Sequence, residues 1–276
     1  MVKPGLITWL ASYPKSGNTW IKLLMGAYKY GTADINERRP LTALDTETYA
    51  HQVVSPVSLN YLDPAQKVYL RSAALMHLRM RNLTQCILKT HCADIKVNDV
   101  RLIPPTLTDK RIYILRDPRD VVISFAKHMG ITVDRAIELF AHVGNALNMP
   151  ETAPAFLTTW SRHVGSWAFN SDVVIRYEDL RDDTAGQFKR VLEVLGWEID
   201  EARIEKAVSD CEFAKLKAQE DKDGFLESSG HGRFFNQGKS GHWQEVLTPE
   251  QIKQIESDHG EMMEKVGYIL TKAEAA

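Results

Sequence analysis

Tyr13-Pro14-Lys15-Ser16-Gly17-Asn18-Thr19-Trp20 gathers a cation, two aliphatic hydroxyls and a glycine into one short stretch. It follows the apolar run Leu6 to Ser12, which reads as a buried strand. It precedes apolar residues at Trp20, Leu23, Leu24, Ala27 and Tyr28, the i, i+3, i+4, i+7, i+8 spacing of one helix face. A strand, a short turn and a helix in that order make a cradle for an anion. Backbone N–H groups converge on one spot, the helix dipole adds positive potential, and Lys15 adds a full charge. A nucleotide's phosphates are the natural occupant. The stretch is P-loop-like without being a standard P-loop, which puts a Gly directly before the Lys and another Gly upstream. Here Lys15 precedes Gly17, which argues against an ATPase or GTPase and for another phosphate chemistry.

Two more clusters carry chemistry. In Leu88-Lys89-Thr90-His91, Lys89 and His91 lie two residues apart on a strand and so share a face. An imidazole, with its ordinary pKa of about 6.5, suits a general base, and an ammonium beside it suits charge building up on a transferred group. A partly buried structural histidine is the competing reading for one His among nine. In Arg116-Asp117-Pro118-Arg119-Asp120, a strand delivers Arg116 to its end and Pro118 opens a helix that carries Ser124. A guanidinium fork and a hydroxyl fit a second anion. A surface pair of Arg116 with Asp117 or Asp120 is the alternative.

The elements that must position these groups are four apolar runs: Leu6 to Ser12, Cys86 to Thr90, Arg111 to Leu115 and Asp172 to Tyr177. Helical patterns separate them. The expected fold is therefore α/β, a single domain over residues 1–276. A central parallel sheet is flanked by helices, with the phosphate-binding turn after the first strand. Ligands bind such sheets beyond the C-terminal ends of the strands, where Lys15, Lys89, His91, Arg116 and Tyr177-Glu178-Asp179 would meet. Phe188, Val191, Leu192 and Leu195 mark one later helix. Ile252, Ile255, His259, Met262 and Val266 mark another, opened by a capping box at Thr248, Pro249 and Gln251. Residues 32 to 70 show no clear period and read as surface chain. Residues 218 to 242, rich in Gly and charge, read as a mobile loop or lid.

Composition narrows the classes. The 276-residue chain is 44% hydrophobic and 25% charged, with a formal net charge of −2. No global attraction to nucleic acid or an anionic membrane follows from that balance, so neither is an expected partner. No run of about eighteen apolar residues suggests a membrane span. The N-terminus has no signal-peptide pattern. Three cysteines without a CxxC pair argue against a disulfide framework or a zinc site, and for a reducing cytoplasm.

Lys-Ser-Gly-x-Thr-Trp, Lys-Thr-His, Arg-Asp-Pro-Arg-Asp…Ser, Tyr177-Glu178-Asp179 and a late Gly-x-x-Gly-x-Trp occur in that order. Together they resemble the cytosolic-type sulfotransferases, from about residue 6 to about residue 260. Those enzymes use 3′-phosphoadenosine 5′-phosphosulfate (PAPS). The resemblance implies a sulfuryl transfer from PAPS to a hydroxyl of a small or medium-sized acceptor, with no metal. Lys15, Ser16, Gly17, Asn18 and Thr19 match the 5′-phosphosulfate loop, Lys15 helping the phosphate to leave. Trp20 and Phe213 match the residues on either side of the adenine. Arg116 and Ser124 match the 3′-phosphate contacts, and Tyr177 a cofactor-site tyrosine. His91 matches the catalytic base and Lys89 the residue that steadies the sulfuryl group.

The late motif departs from the family. Asn236-Gln237-Gly238 stands where Arg-Lys-Gly is usual, so Gln237 and Gly238 keep the cofactor position while two cations are missing. Arg233 or Lys239 is the expected substitute. Gln244, Pro249 and Lys253 replace the Lys, Val and Glu of the family's dimerisation segment, which leaves the oligomeric state open. Two other readings stay open from residues alone: a small-molecule kinase on a P-loop-like fold, and a non-catalytic nucleotide-binding protein. Acceptor walls are expected from residues 32 to 80, 127 to 165 and 218 to 242, where Tyr49, Tyr61, Phe140, Phe156, Trp160 and Phe225 lie, although aromatics in such stretches are more often core.

Overall fold

A computed structural model of the chain describes residues 6–36, 50–81, 86–148, 151–226, 233–235 and 238–271. Each of the four predicted strands is present: β1 (Ile7–Ser12), β2 (Cys86–Thr90), β3 (Thr108–Leu115) and β4 (Val173–Arg176). They form one parallel sheet in the order β2-β1-β3-β4. Every residue of β1 and β2 is buried. That is why these strands read as unbroken apolar runs instead of alternating ones.

Helices cover both faces. On one face lie α1 (Asn18–Tyr30), α7 (Thr184–Leu195) and α8 (Glu201–Asp210), packed on Leu10, Ile112, Ile114 and Ile175. On the other lie α2 (Pro64–Arg81), α3 (Pro118–Met129), α4 (Val133–Ala141), α5 (Trp160–Trp167) and α11 (Pro249–Lys265), around Trp9, Leu88, Tyr113 and Leu115. The short α6 (Tyr177–Asp182), α9 (Phe213–Asp223) and α10 (Trp243–Val246) sit near the strand ends. The predicted capping box of α11 is formed, with Thr248 and Gln251 exchanging hydrogen bonds. Among the described residues, no helix is long and apolar enough to cross a membrane.

Four sequence expectations need correction. β3 begins at Thr108, ahead of Arg111. Tyr177 opens α6 and does not end a strand. The stretch 32 to 70 is not all surface chain, because α2 begins at Pro64. That helix turns Lys67, Val68, Arg71, Ala74, Leu75 and Leu78 inward. Two of those are cations, so the apolar period is blurred. Arg71 is accommodated by donating from Nε to the Leu102 carbonyl at 2.7 Å and lying over Trp9. The supposed loop from 218 is helical as far as Asp223, and Gly224 caps α9 in the left-handed region at φ 68°. Residues 227–232 and 236–237 lie outside the described residues.

The start of α3 is pinned by Arg119, whose side chain is 4% exposed. Its guanidinium donates to Asp117 at 2.7 Å, to Glu256 of α11 at 2.7 Å and to the Ile269 carbonyl at 3.1 Å. It also lies 3.9 Å from the Trp243 ring centroid. Removing one member of a buried ion network leaves the others uncompensated. Arg119→Ala is expected to lower stability by about 3–5 kcal/mol in urea unfolding. A loss within experimental error would show that the network does not hold α11 in place.

Candidate active site

The turn after β1 is built around two left-handed residues, Lys15 at φ 69° and Gly17 at φ 106°. A non-glycine residue in that region is strained and is commonest at functional sites. Gly17 has no alternative, because a Cβ there would lie 2.7 Å from the Tyr177 ring. α1 follows directly, with no side-chain cap and no acidic residue in its first turn. α3, α4, α5, α7, α8 and α11 all have a capping side chain. The N-terminus of α1 therefore presents its amides and its dipole to the turn. Ser16 Oγ is buried there without a hydrogen-bond partner. Asn18 ties the turn down by donating to the Leu10 carbonyl at 3.0 Å.

β2 lies beside β1 with Lys89 level with Leu10 and Thr90 level with Ala11. His91 therefore arrives next to Ser12, where its Nδ1 is 2.9 Å from the Ser12 carbonyl oxygen. A carbonyl can only accept, so Nδ1 carries the proton and the neutral ring keeps its lone pair on Nε2. Lys89, 3% exposed, donates from Nζ to Thr19 Oγ1 at 3.3 Å. An imidazole and a buried lysine thus stand at one strand end, against the first turn of α1.

β3 delivers Arg116 on the other side of β1. Its Nη1 donates to the Lys15 carbonyl at 3.1 Å and its Nη2 to the Lys239 carbonyl at 3.0 Å, while the guanidinium lies 4.2 Å from the Tyr177 ring centroid. Arg116 Nε is buried without a partner. The pairing alternative holds in part: Arg116 forms an ion pair with Asp120, but a buried one and not a surface one. Asp117 is engaged by Arg119, and Asp120 lies 4.0 Å from Arg116 while accepting the amides of Gly241 and Trp243. Burial pushes the Asp120 carboxyl above the ordinary range, against the opposing pull of Arg116 and those two amides.

These groups line one cavity of about 480 Å³. Of the residues predicted from sequence, Lys15, Gly17, Asn18, Thr19, Trp20, Lys89, His91, Arg116, Ser124, Tyr177, Phe213, Arg233 and Gly238 all reach it. Ser16 lies buried beneath the turn. Gln237 lies outside the described residues. Trp20 is oriented by donating from Nε1 to the Cys211 carbonyl at 3.1 Å. Phe213 is seated on Gly238, where a Cβ would lie 2.7 Å from its ring. Arg233 pairs with Asp221 at 2.9 Å on the exposed rim. Lys239 also lines the cavity.

The cavity takes Lys127, His128 and Leu147 from the expected stretch 127 to 165, and Leu226, Phe234 and Phe235 from 218 to 242, but the described aromatics named in those stretches do not line it. Tyr61 is exposed, while Phe140 and Trp160 are packed in the core. Phe225 packs on Phe234 and Phe235, and Phe156 sits in a small hairpin with Ala146. Tyr49 lies outside the described residues. Phe125, Leu147, Leu226, Phe234 and Phe235 supply the apolar wall instead. Lys15 Nζ lies 3.6 Å from the Phe234 ring centroid. Sequence reasoning also missed Arg181, which lines the cavity one helical turn after Tyr177. Reading Tyr177 as the start of a helix would have put the two on one face.

Fold and cavity define an α/β protein with a P-loop-like anion site at the strand ends. The Sulfotransferase domain family model matches residues 7–267, and the chain belongs to that family. Flavonol 3-sulfotransferase of Flaveria bidentis is 23% identical over 95% of this chain and 83% of its own length. Among solved structures, mouse sulfotransferase SULT7A1 complexed with PAP aligns at TM-score 0.63 and 19% identity, covering 95% of this chain and 84% of that one. Retinol dehydratase in complex with androsterone and the inactive cofactor PAP aligns at TM-score 0.61 and 22% identity, covering 98% and 84%. At these identities the two structures bear on the fold.

Gly17→Ala puts a Cβ into the Tyr177 ring at a φ that favours glycine. It is expected to cost about 1–3 kcal/mol of stability, measured by urea unfolding. No measurable loss would mean that the turn has another conformation.

Proposed function

We propose that the protein transfers the sulfuryl group of PAPS to a hydroxyl of a small, largely apolar acceptor, with His91 as general base. The observation that carries this reading is the pairing of His91 with Ser12. The carbonyl bond fixes Nδ1–H, so Nε2 is the nitrogen able to take the acceptor's proton. As the O–H bond breaks, the acceptor oxygen bonds to sulfur. The bond from sulfur to the 5′-phosphate oxygen breaks in line with it, and adenosine 3′,5′-bisphosphate leaves. Phosphoryl transfer is the nearest analogue: positioning and charge stabilisation do most of the work. Lys15 is the residue for the leaving oxygen and Lys89 for the sulfuryl oxygens.

The residues present suit such a donor. An uncapped α1, the unpartnered Ser16 hydroxyl and Lys15 fit the 5′-phosphosulfate. Arg116 and Ser124 fit the 3′-phosphate, with Lys239 and Arg181 on the same cavity wall in place of the missing Arg-Lys pair. Trp20 and Phe213 fit the adenine. Phe125, Leu147, Leu226 and Phe234 fit an acceptor that is apolar apart from its hydroxyl. Flavonol, retinol and androsterone appear in the names of relatives and neighbours, which agrees with that class. A reducing cytoplasm suits Cys86, Cys92 and Cys211, which are buried and form no disulfide.

The kinase reading loses its strand-end carboxylate, since Asp117 caps α3 and is held by Arg119. A mere binder has no need of a base with a fixed tautomer.

His91→Ala is expected to lower kcat about 10²–10⁴-fold, measured as transfer of labelled sulfate from PAPS across a panel of phenols and alcohols. Near-normal turnover would remove His91 from the chemistry. Transfer to none of the panel by the unaltered protein would favour the binder.

A further inference from the structure

Beyond Thr90 the chain leaves the parallel sheet, and residues 91–95 are in no strand. Buried backbone groups still need hydrogen bonds. One face of α5 supplies them from positions i, i+3 and i+4. His163 Nε2 is 3.1 Å from the His91 carbonyl oxygen. Ser166 Oγ accepts from the Asp94 amide at 3.0 Å, and Trp167 Nε1 donates to the Cys92 carbonyl at 2.9 Å. The Ala93 amide bonds to the Phe156 carbonyl at 2.8 Å.

His163 is fully buried. The His91 carbonyl can only accept, so His163 carries its proton on Nε2. Its Nδ1 then accepts the Tyr113 hydroxyl at 3.0 Å. Burial pushes its pKa down to about 3, so the ring stays neutral and its tautomer stays fixed. Tyr13, at the head of the phosphate turn, packs edge-on against it at 5.2 Å and is itself held by Asn145. One neutral imidazole thus connects β3, the phosphate turn and the residue that bears the base.

We propose that His163 is a positioning residue for His91: its Nε2–H holds the His91 carbonyl, so the backbone keeps the base against Ser12 and beside the cavity. The inference rests on the reading of His91 as the base. His163→Leu keeps the volume and removes the donor. It is expected to lower kcat about tenfold to a hundredfold, the usual effect of losing a supporting hydrogen bond behind a reacting group. KM for PAPS and affinity for adenosine 3′,5′-bisphosphate should stay within about twofold, because the phosphate residues are untouched. His163→Gln, whose amide reaches the Nε2 position, should recover most of the lost turnover. In a His91→Ala background, His163→Leu should add no further loss, since it acts only through His91.

An unchanged kcat in folded His163→Leu, alongside a strong loss in His91→Ala, overturns this inference and leaves the base assignment intact. Full activity in His91→Ala overturns the assignment itself. Additive losses in the double variant show a structural role and also overturn the inference. If His163→Leu does not fold, Tyr113→Phe carries the test. It removes one hydroxyl, is expected to lower kcat severalfold at unchanged bisphosphate affinity, and overturns the inference if kcat is unaltered.

Discussion

Cations on neighbouring strand ends repel one another, and carbonyl, hydroxyl and ring contacts hold them at one crevice. Arg116 is held by two carbonyl oxygens and the face of Tyr177. Lys15 lies over Phe234, and Lys89 bonds a hydroxyl. These partners orient the cations. Asp120, the carboxylate that lines the cavity, is occupied by the Gly241 and Trp243 amides, and burial disfavours its ionised form. Nearby Asp117 is matched by Arg119. Lys15, Lys89, Arg116, Lys127, Arg181, Arg233 and Lys239 line the crevice with Asp120, an excess of positive charge that suits an anion with charge at two places.

Sheet order converts that charge into direction. β1 runs between β2 and β3, and the chain crosses to opposite sides of it. Such a reversal opens a crevice beyond the strand ends. It sets His91 and Lys89 on one flank of the turn after β1 and Arg116 on the other. The proposed phosphate contacts and the proposed base are separated in this way by the spacing of neighbouring strands. Asp120 adds the last connection, because the two amides it holds belong to the segment that carries Gly238 and Lys239.

Much of this was legible from residues because parallel strands buried on both faces are continuous apolar runs, and functional residues follow directly after them. Lys15, Lys89, His91 and Arg116 were each readable as the polar end of such a run. What escaped notice had its signal mixed. α2 turns Lys67 and Arg71 inward, so its apolar stripe is broken. Tyr177 follows β4 without a break, so Tyr177-Glu178-Asp179 reads as a strand end and Arg181 carries no signal of its own. His163 lies among Trp160, Val164 and Trp167 at helical spacing, and nothing local separates a histidine that supports the base from one that fills the core. The stretches 127 to 165 and 218 to 242 do reach the cavity, but their sequence carries no information on which rings face it.

The central claim is that two anion sites share one cavity, and calorimetric titration tests it directly. Adenosine 3′,5′-bisphosphate and adenosine 5′-monophosphate would each be titrated at low and high salt. One-site binding of the bisphosphate is predicted, at least about tenfold tighter than the monophosphate, since each charge-assisted contact contributes roughly 1.5–3 kcal/mol. The difference should narrow as salt screens the second phosphate. Equal affinity for the two nucleotides, or no binding of the bisphosphate, would contradict the account.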